Sequence, residues 1–152
     1  MNSTARPESG RATAKRKGNK MGDNYSVDLA LKCKDEAKVV SLLKEYIRKN
    51  PDNAEFNLAK YKSQGVGTET LDDLIAIMLA GWEGQRVSKE AGKDGSMTYR
   101  NCFSCTYGWR RVMVGMFFAM AEALDDESGF IIDRDEGIDE YIIEDGEVTQ
   151  VR

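Results

Sequence analysis

The chain has 152 residues, 41% of them hydrophobic and 32% charged, with 14 Gly and only 2 Pro, a globular composition of a size suited to one domain with its own core. It contains no histidine, which excludes mechanisms that relay a proton or bind metal through imidazole, Ser-His-Asp and Cys-His nucleophiles among them. The net charge of −4 conceals three zones: residues 1–20 carry six basic residues against Glu8, residues 21–120 are nearly balanced, and residues 121–152 hold twelve acidic residues against Arg134 and Arg152, a net of −10.

Residues 1–20, rich in Ser, Thr, Ala, Gly and Arg, bury too little apolar surface to offset their ordering entropy and are predicted to form a disordered basic tail. A single α+β domain is expected over residues 21–152. The tail lacks the apolar run of a secretory signal. The longest nearly apolar stretch, residues 112–124, falls short of the roughly 20 residues that cross a bilayer. A cytoplasmic protein with reduced thiols and no membrane partner is therefore expected.

Tyr25, Val27, Leu29 and Leu31 alternate with polar or small residues, the period-2 pattern of a half-buried strand. Asp35 is placed to cap a helix carrying Val39, Leu42, Leu43, Tyr46 and Ile47, which ends at Asn50 and Pro51. Residues 52–65 fit neither period well and are assigned a short helix. Thr70 stands three residues before Asp73 as a capping pair and opens a helix whose apolar stripe runs Leu71, Leu74, Ile75, Met78, Leu79 and Trp82. Gly81 and Gly84 end it. Asp94 and Gly95 mark a turn between a weak strand near Arg86 and a stronger one through Cys105. The most periodic segment follows, with Trp109, Val112, Met113, Met116, Phe117, Met120 and Leu124 on one helical face. Trp82, Tyr107 and Trp109 are read as core aromatics, and the methionines as gap-filling core. Beyond Gly129, residues 130–132, 141–143 and 148–151 read as strands, the last two joined by Asp145 and Gly146 into a C-terminal β-meander.

This order implies an antiparallel or mixed sheet with helices mainly on one face, a ferredoxin-like core with inserted helices being the closest layout. That layout licenses no function by itself. The aromatic signature of RNA-recognition domains is missing from residues 97–103, and Gly65 and Gly67 lack the strand and the Gly-Lys-Ser/Thr of a phosphate loop.

Cys102 and Cys105 form a Cys-x-x-Cys ahead of a helix, where a helix dipole can favour a thiolate for redox chemistry. On a strand, side chains at i and i+3 face opposite ways and cannot pair. With three Cys and no His, a tetrahedral zinc site has one Cys-x-x-Cys half and no second half to complete its four ligands. Residues 133–140 superficially resemble a calcium loop, but Gly137 and Ile138 occupy the positions that need a ligand and a glycine turn. No cofactor is expected.

Two charged segments remain. Lys15, Arg16 and Lys17 at the centre of the tail suit weak, salt-sensitive contact with nucleic acid through counterion release. Asp133, Asp135, Glu136, Asp139 and Glu140 suit recruitment of a basic protein partner, by imitating the phosphate array of nucleic acid, unless they form an ordinary solvated turn. The leading expectation is a non-enzymatic binding or regulatory protein with an acidic C-terminal surface, in its most specific form an inhibitor of a nucleic-acid-binding machine. The nucleic-acid tail and the cysteine redox pair are the alternatives.

Overall fold

A computed structural model describes residues 22–51, 58–82, 84 and 86–152. The expected tail, with Lys15, Arg16 and Lys17, and the first part of the helix expected over 52–65 lie outside the described residues. Strand β1, Gly22–Leu31, buries Tyr25, Val27, Leu29 and Leu31 on one side, as its alternation requires. Helix α1, Glu36–Lys49, starts where the Asp35 carboxylate accepts the Lys38 N–H at 3.1 Å, and it turns Val39, Leu43 and Ile47 inward. A short helix α2, Leu58–Ser63, precedes α3, Leu71–Met78. The start of α3 is a reciprocal cap with Asp in place of the usual Glu: the Thr70 hydroxyl accepts the Asp73 N–H at 3.1 Å, and the Asp73 carboxylate accepts the Thr70 N–H at 3.2 Å.

Strands β2, Ser88–Ala91, and β3, Met97–Thr106, form the expected hairpin around Asp94 and Gly95. Helix α4, Trp109–Met120, buries Trp109, Met113, Met116, Phe117 and Met120 and passes into one tighter turn, Ala121–Ala123. Strands β4, Gly129–Arg134, β5, Gly137–Glu144, and β6, Glu147–Gln150, complete the chain as a meander. The six described strands make one antiparallel sheet in the order β2-β3-β1-β4-β5-β6, so β1 sits near its centre. The architecture is α+β.

One sheet face carries the core. Phe130 and Ile132 of β4, Tyr141 and Ile143 of β5, and Tyr99, Phe103 and Cys105 of β3 join the β1 residues beneath α1, α3 and α4. Full burial of each large apolar side chain contributes about 1.5–3 kcal/mol. Polar groups within this layer are paired rather than excluded. Asn101 Nδ2 donates to the Leu79 carbonyl at 2.7 Å, and the Trp109 indole N–H donates to the Met78 carbonyl at 3.1 Å, so both satisfy the open C-terminal end of α3. The Tyr46 hydroxyl donates to the Val112 carbonyl at 2.7 Å and ties α1 to α4. A side chain on Gly115 would run into that hydroxyl.

Two aromatic expectations are corrected. Trp82 does not extend the buried stripe of α3, because the helix stops at Leu79 and Gly81, at φ +72°, turns the chain beside Phe103. Trp82 is 40% exposed, and its ring covers Gly22, where any side chain would collide with it. Tyr107 precedes the first turn of α4 and is 57% exposed, whereas Trp109 is buried as its helical phase requires. The methionines at 113, 116 and 120 are fully buried core. Among the described residues no helix is long and apolar enough to cross a membrane.

Candidate functional site

The acidic segment is divided by the strands that carry it. In β5 the alternation that buries Tyr141 and Ile143 also turns Asp139 toward the core, where it is 8% exposed. Arg110, in the first turn of α4, donates its Nε–H to the Asp139 carboxylate at 2.5 Å, and Arg134 at the end of β4 donates to the same oxygen at 3.3 Å. The Arg110 guanidinium, followed by that of Arg134, holds the Asp139 carboxyl below its ordinary pKa despite burial, and Asp139 in turn raises Arg110. Arg110 and Arg111 open α4 with no acidic residue in its first turn and no side-chain cap, an unfavourable charge at the positive end of a helix dipole. Asp139 supplies the missing negative charge. It is therefore an internal ion-pair residue, set apart from the exposed Asp133, Asp135 and Glu136.

Glu140 faces the other side of the sheet and pairs with Arg152 at 2.8 Å, beside backbone hydrogen bonds that continue the β5 to β6 pairing. Glu136 lies 3.6 Å from Arg134. Asp133, Asp135 and Glu136 are exposed. Nearby Asp23 has a raised pKa, first from burial and then from the charges of Asp135 and Glu136, against an opposing hydrogen bond from the Asn24 backbone. Burial likewise pushes Tyr25 up to about 12, with its hydroxyl donating to the Thr106 carbonyl at 2.8 Å.

At the opposite end of the sheet the fold assembles a second set of carboxylates. The loop after α4 contributes Asp125, Asp126 and Glu127, and the β5–β6 turn contributes Glu144, Asp145 and Glu147. Backbone bonds from Glu127 N to Ile143 O at 3.1 Å and from Ile143 N to Ser128 O at 2.9 Å hold the two together. The Asp126 carboxylate accepts the N–H groups of Asp145 at 3.1 Å and Gly146 at 3.3 Å. Asp145 at φ 53° and Gly146 at φ 78° give this turn the twist that suits a tight hairpin. Lys32 and Lys34 line an open depression with Asp125, Asp126, Glu127 and Glu144. None of the six carboxylates at this end is in an ion pair among the described residues. The partly buried Cys33 thiol registers the local field: burial raises its pKa, and Glu36, Asp125 and Asp35 raise it further.

Cys102 is exposed and Cys105 buried, on opposite faces of β3. The strand geometry therefore does not bring the Cys-x-x-Cys together as a pair. Among the described residues no group of three or more Cys, Asp or Glu is arranged to hold a metal ion. A third polar cluster joins Tyr99, Asp72 and Lys89: the buried phenol donates to Asp72 at 2.6 Å, and Lys89 binds the other oxygen at 2.5 Å. Burial first, then Asp72, lifts the Tyr99 pKa above the ordinary phenol range, so this hydroxyl stays protonated and anchors β3 to α3.

Compared with protein-family models, curated proteins and solved structures, the chain gives no match. The carboxylates at 125–127 and 144–147 are the ones that residue-by-residue reading of 133–140 passes over. Their signal in the sequence is the pair of short acidic runs, Asp-Asp-Glu and Glu-Asp-Gly-Glu, that bracket β4 and β5.

Proposed function

We propose that this chain is a non-enzymatic binding or regulatory protein that engages a basic protein partner through the acidic end of its C-terminal meander. The observation that carries the reading is the gathering of Asp125, Asp126, Glu127, Glu144, Asp145 and Glu147 at one end of the sheet, in no ion pair among the described residues, with Lys32 and Lys34 lining the depression beside them. A concentration of like charge on a rigid sheet end steers oppositely charged proteins and selects against acidic ones. Its most specific form is an inhibitor that occupies the basic surface of a nucleic-acid-binding machine in the cytoplasm. The ferredoxin-like description of the scaffold is supported by the strand order β2-β3-β1-β4 with helical connections after β1 and β3.

The experiment is affinity capture from the source lysate after nuclease treatment, eluted through a salt gradient, with the native chain and with a variant carrying Asp125→Lys, Glu127→Lys, Glu144→Lys and Glu147→Lys. A basic protein that elutes at moderate salt from the native chain and is not retained by the variant supports the reading. Equal retention by both refutes it. Nuclease-sensitive retention that disappears when residues 1–20 are deleted makes nucleic acid the partner, through Lys15, Arg16 and Lys17.

A further inference from the structure

We infer that the sheet face opposite the described helices docks a cationic amphipathic helix, with its apolar side on Ile131, Ile138 and Ile142. This inference rests on the acidic-surface reading and names the form of the partner. The three helices that bury the core all lie on the other side of the sheet, and the opposite face carries the second residue set of every strand. Across that face the register sets Ile131 between Asp28 and Glu140, and Ile138 opposite Asp133. Ile142 stands next to Gly129, whose other neighbour is Ala30. The glycine and alanine leave the face low beside Ile142, and Ile138 is 40% exposed.

The carboxylates around this apolar strip are unevenly neutralised. Asp28 shares Arg100 at 3.3 Å with Glu90, and Glu140 binds Arg152 at 2.8 Å. Asp133 and Glu144 are exposed and in no ion pair among the described residues, and Glu144 leads directly into the acidic sheet end. An apolar strip within a negative field complements a helix with leucine-like residues on one side and lysine or arginine on its flanks. Ile138 and Ile142 lie four residues apart on one strand, roughly 13 Å, which matches about two and a half turns of helix. A second copy of this face carries the same sign and is repelled. Strand addition is less suited, because the edge strands β2 and β6 are four residues each and offer few backbone bonds.

The test uses two synthetic peptides of identical lysine and leucine composition, one with leucines at helical i, i+3, i+4 and i+7 spacing and one scrambled, titrated against the full chain by fluorescence anisotropy at two salt concentrations. The amphipathic peptide is expected to bind about tenfold more tightly. Ile138→Ser with Ile142→Ser should reduce it to the scrambled level, and Asp133→Lys with Glu144→Lys should weaken both peptides. If the serine variant fails to fold, the ratio of the two peptides' affinities for the native chain still decides, and the lysine variant, which changes only exposed positions, reads the contribution of charge. Equal, salt-sensitive binding of both peptides overturns the docked helix and leaves the acidic-surface reading standing. Absence of binding by either peptide at low salt overturns both.

Discussion

The two ends of the sheet are built from the same kind of side chain and behave differently. At the end where β4 meets β5, Asp139 is shared by Arg110 and Arg134, and Glu136 lies within reach of Arg134. At the end where α4 leads into β4 and β5 turns into β6, six carboxylates meet with two lysines lining the depression and no ion pair among the described residues. The first arrangement holds a helix to a sheet, since an ion pair largely removed from water is costly to break from one side. The second contributes little to stability and projects charge into solvent. Net charge along a sequence does not distinguish these roles; the direction each carboxylate faces does.

That contrast can be broken most sharply at Asp139. Asp139→Asn leaves two partly buried guanidinium groups without their shared carboxylate and should cost about 2–3 kcal/mol in a urea unfolding titration, below the full cost of a completely buried pair. A loss under 0.5 kcal/mol would equate the two ends. The same variant gives a pH test. Because the folded Asp139 carboxyl is held below its ordinary value of 3.8, its stabilisation is fully present above that value and is lost as pH falls through the lower folded one. Wild-type and variant stabilities should converge in acid and diverge as pH rises. At the other end, Asp126→Ala removes the acceptor for two turn N–H groups and should cost about 1 kcal/mol. Relieving the field on Cys33 should lower its thiol pKa: in a Cys102→Ser background, Asp125→Asn with Glu36→Gln is expected to speed its reaction with a disulfide reagent at neutral pH, and an unchanged rate would show the field to be negligible. The smallest effect belongs to Glu144→Gln, within about 0.5 kcal/mol of wild type by the same unfolding titration.

Much of the scaffold was legible because its signals are local. Tyr25 through Leu31 alternate as a strand must, Asp35 and Thr70 cap the helices they precede, and Trp109 to Met120 keep one phase from first to last. Trp82 defeated the same logic, since a helical phase carries no information past the residue where the helix stops, and Leu79 and Gly81 stop it. Tyr107 fails for the mirror reason, standing before the helix begins. Asp139 shows a different limit. Its inward direction follows from its parity with Tyr141 and Ile143 once a strand is extended back to Gly137, but the charged run around it reads first as solvated turn. The acidic end was visible only as a composition, because its two halves are separated by β4 and β5 and meet through bonds such as Asp126 to Asp145.

The position of β1 between β3 and β4 sets the order in which the molecule can assemble. Leu31 pairs with Met97 and Gly22 with Thr106 on one side, while Ala30 pairs with Gly129 on the other. A ribosome therefore releases a strand whose two edges stay open until most of the chain has followed, and α1 emerges with no sheet to cover. Closing such distant contacts is slow, and an unpaired apolar strand invites association with neighbouring nascent chains. Folding yield should accordingly depend on how long β1 waits for both β3 and β4.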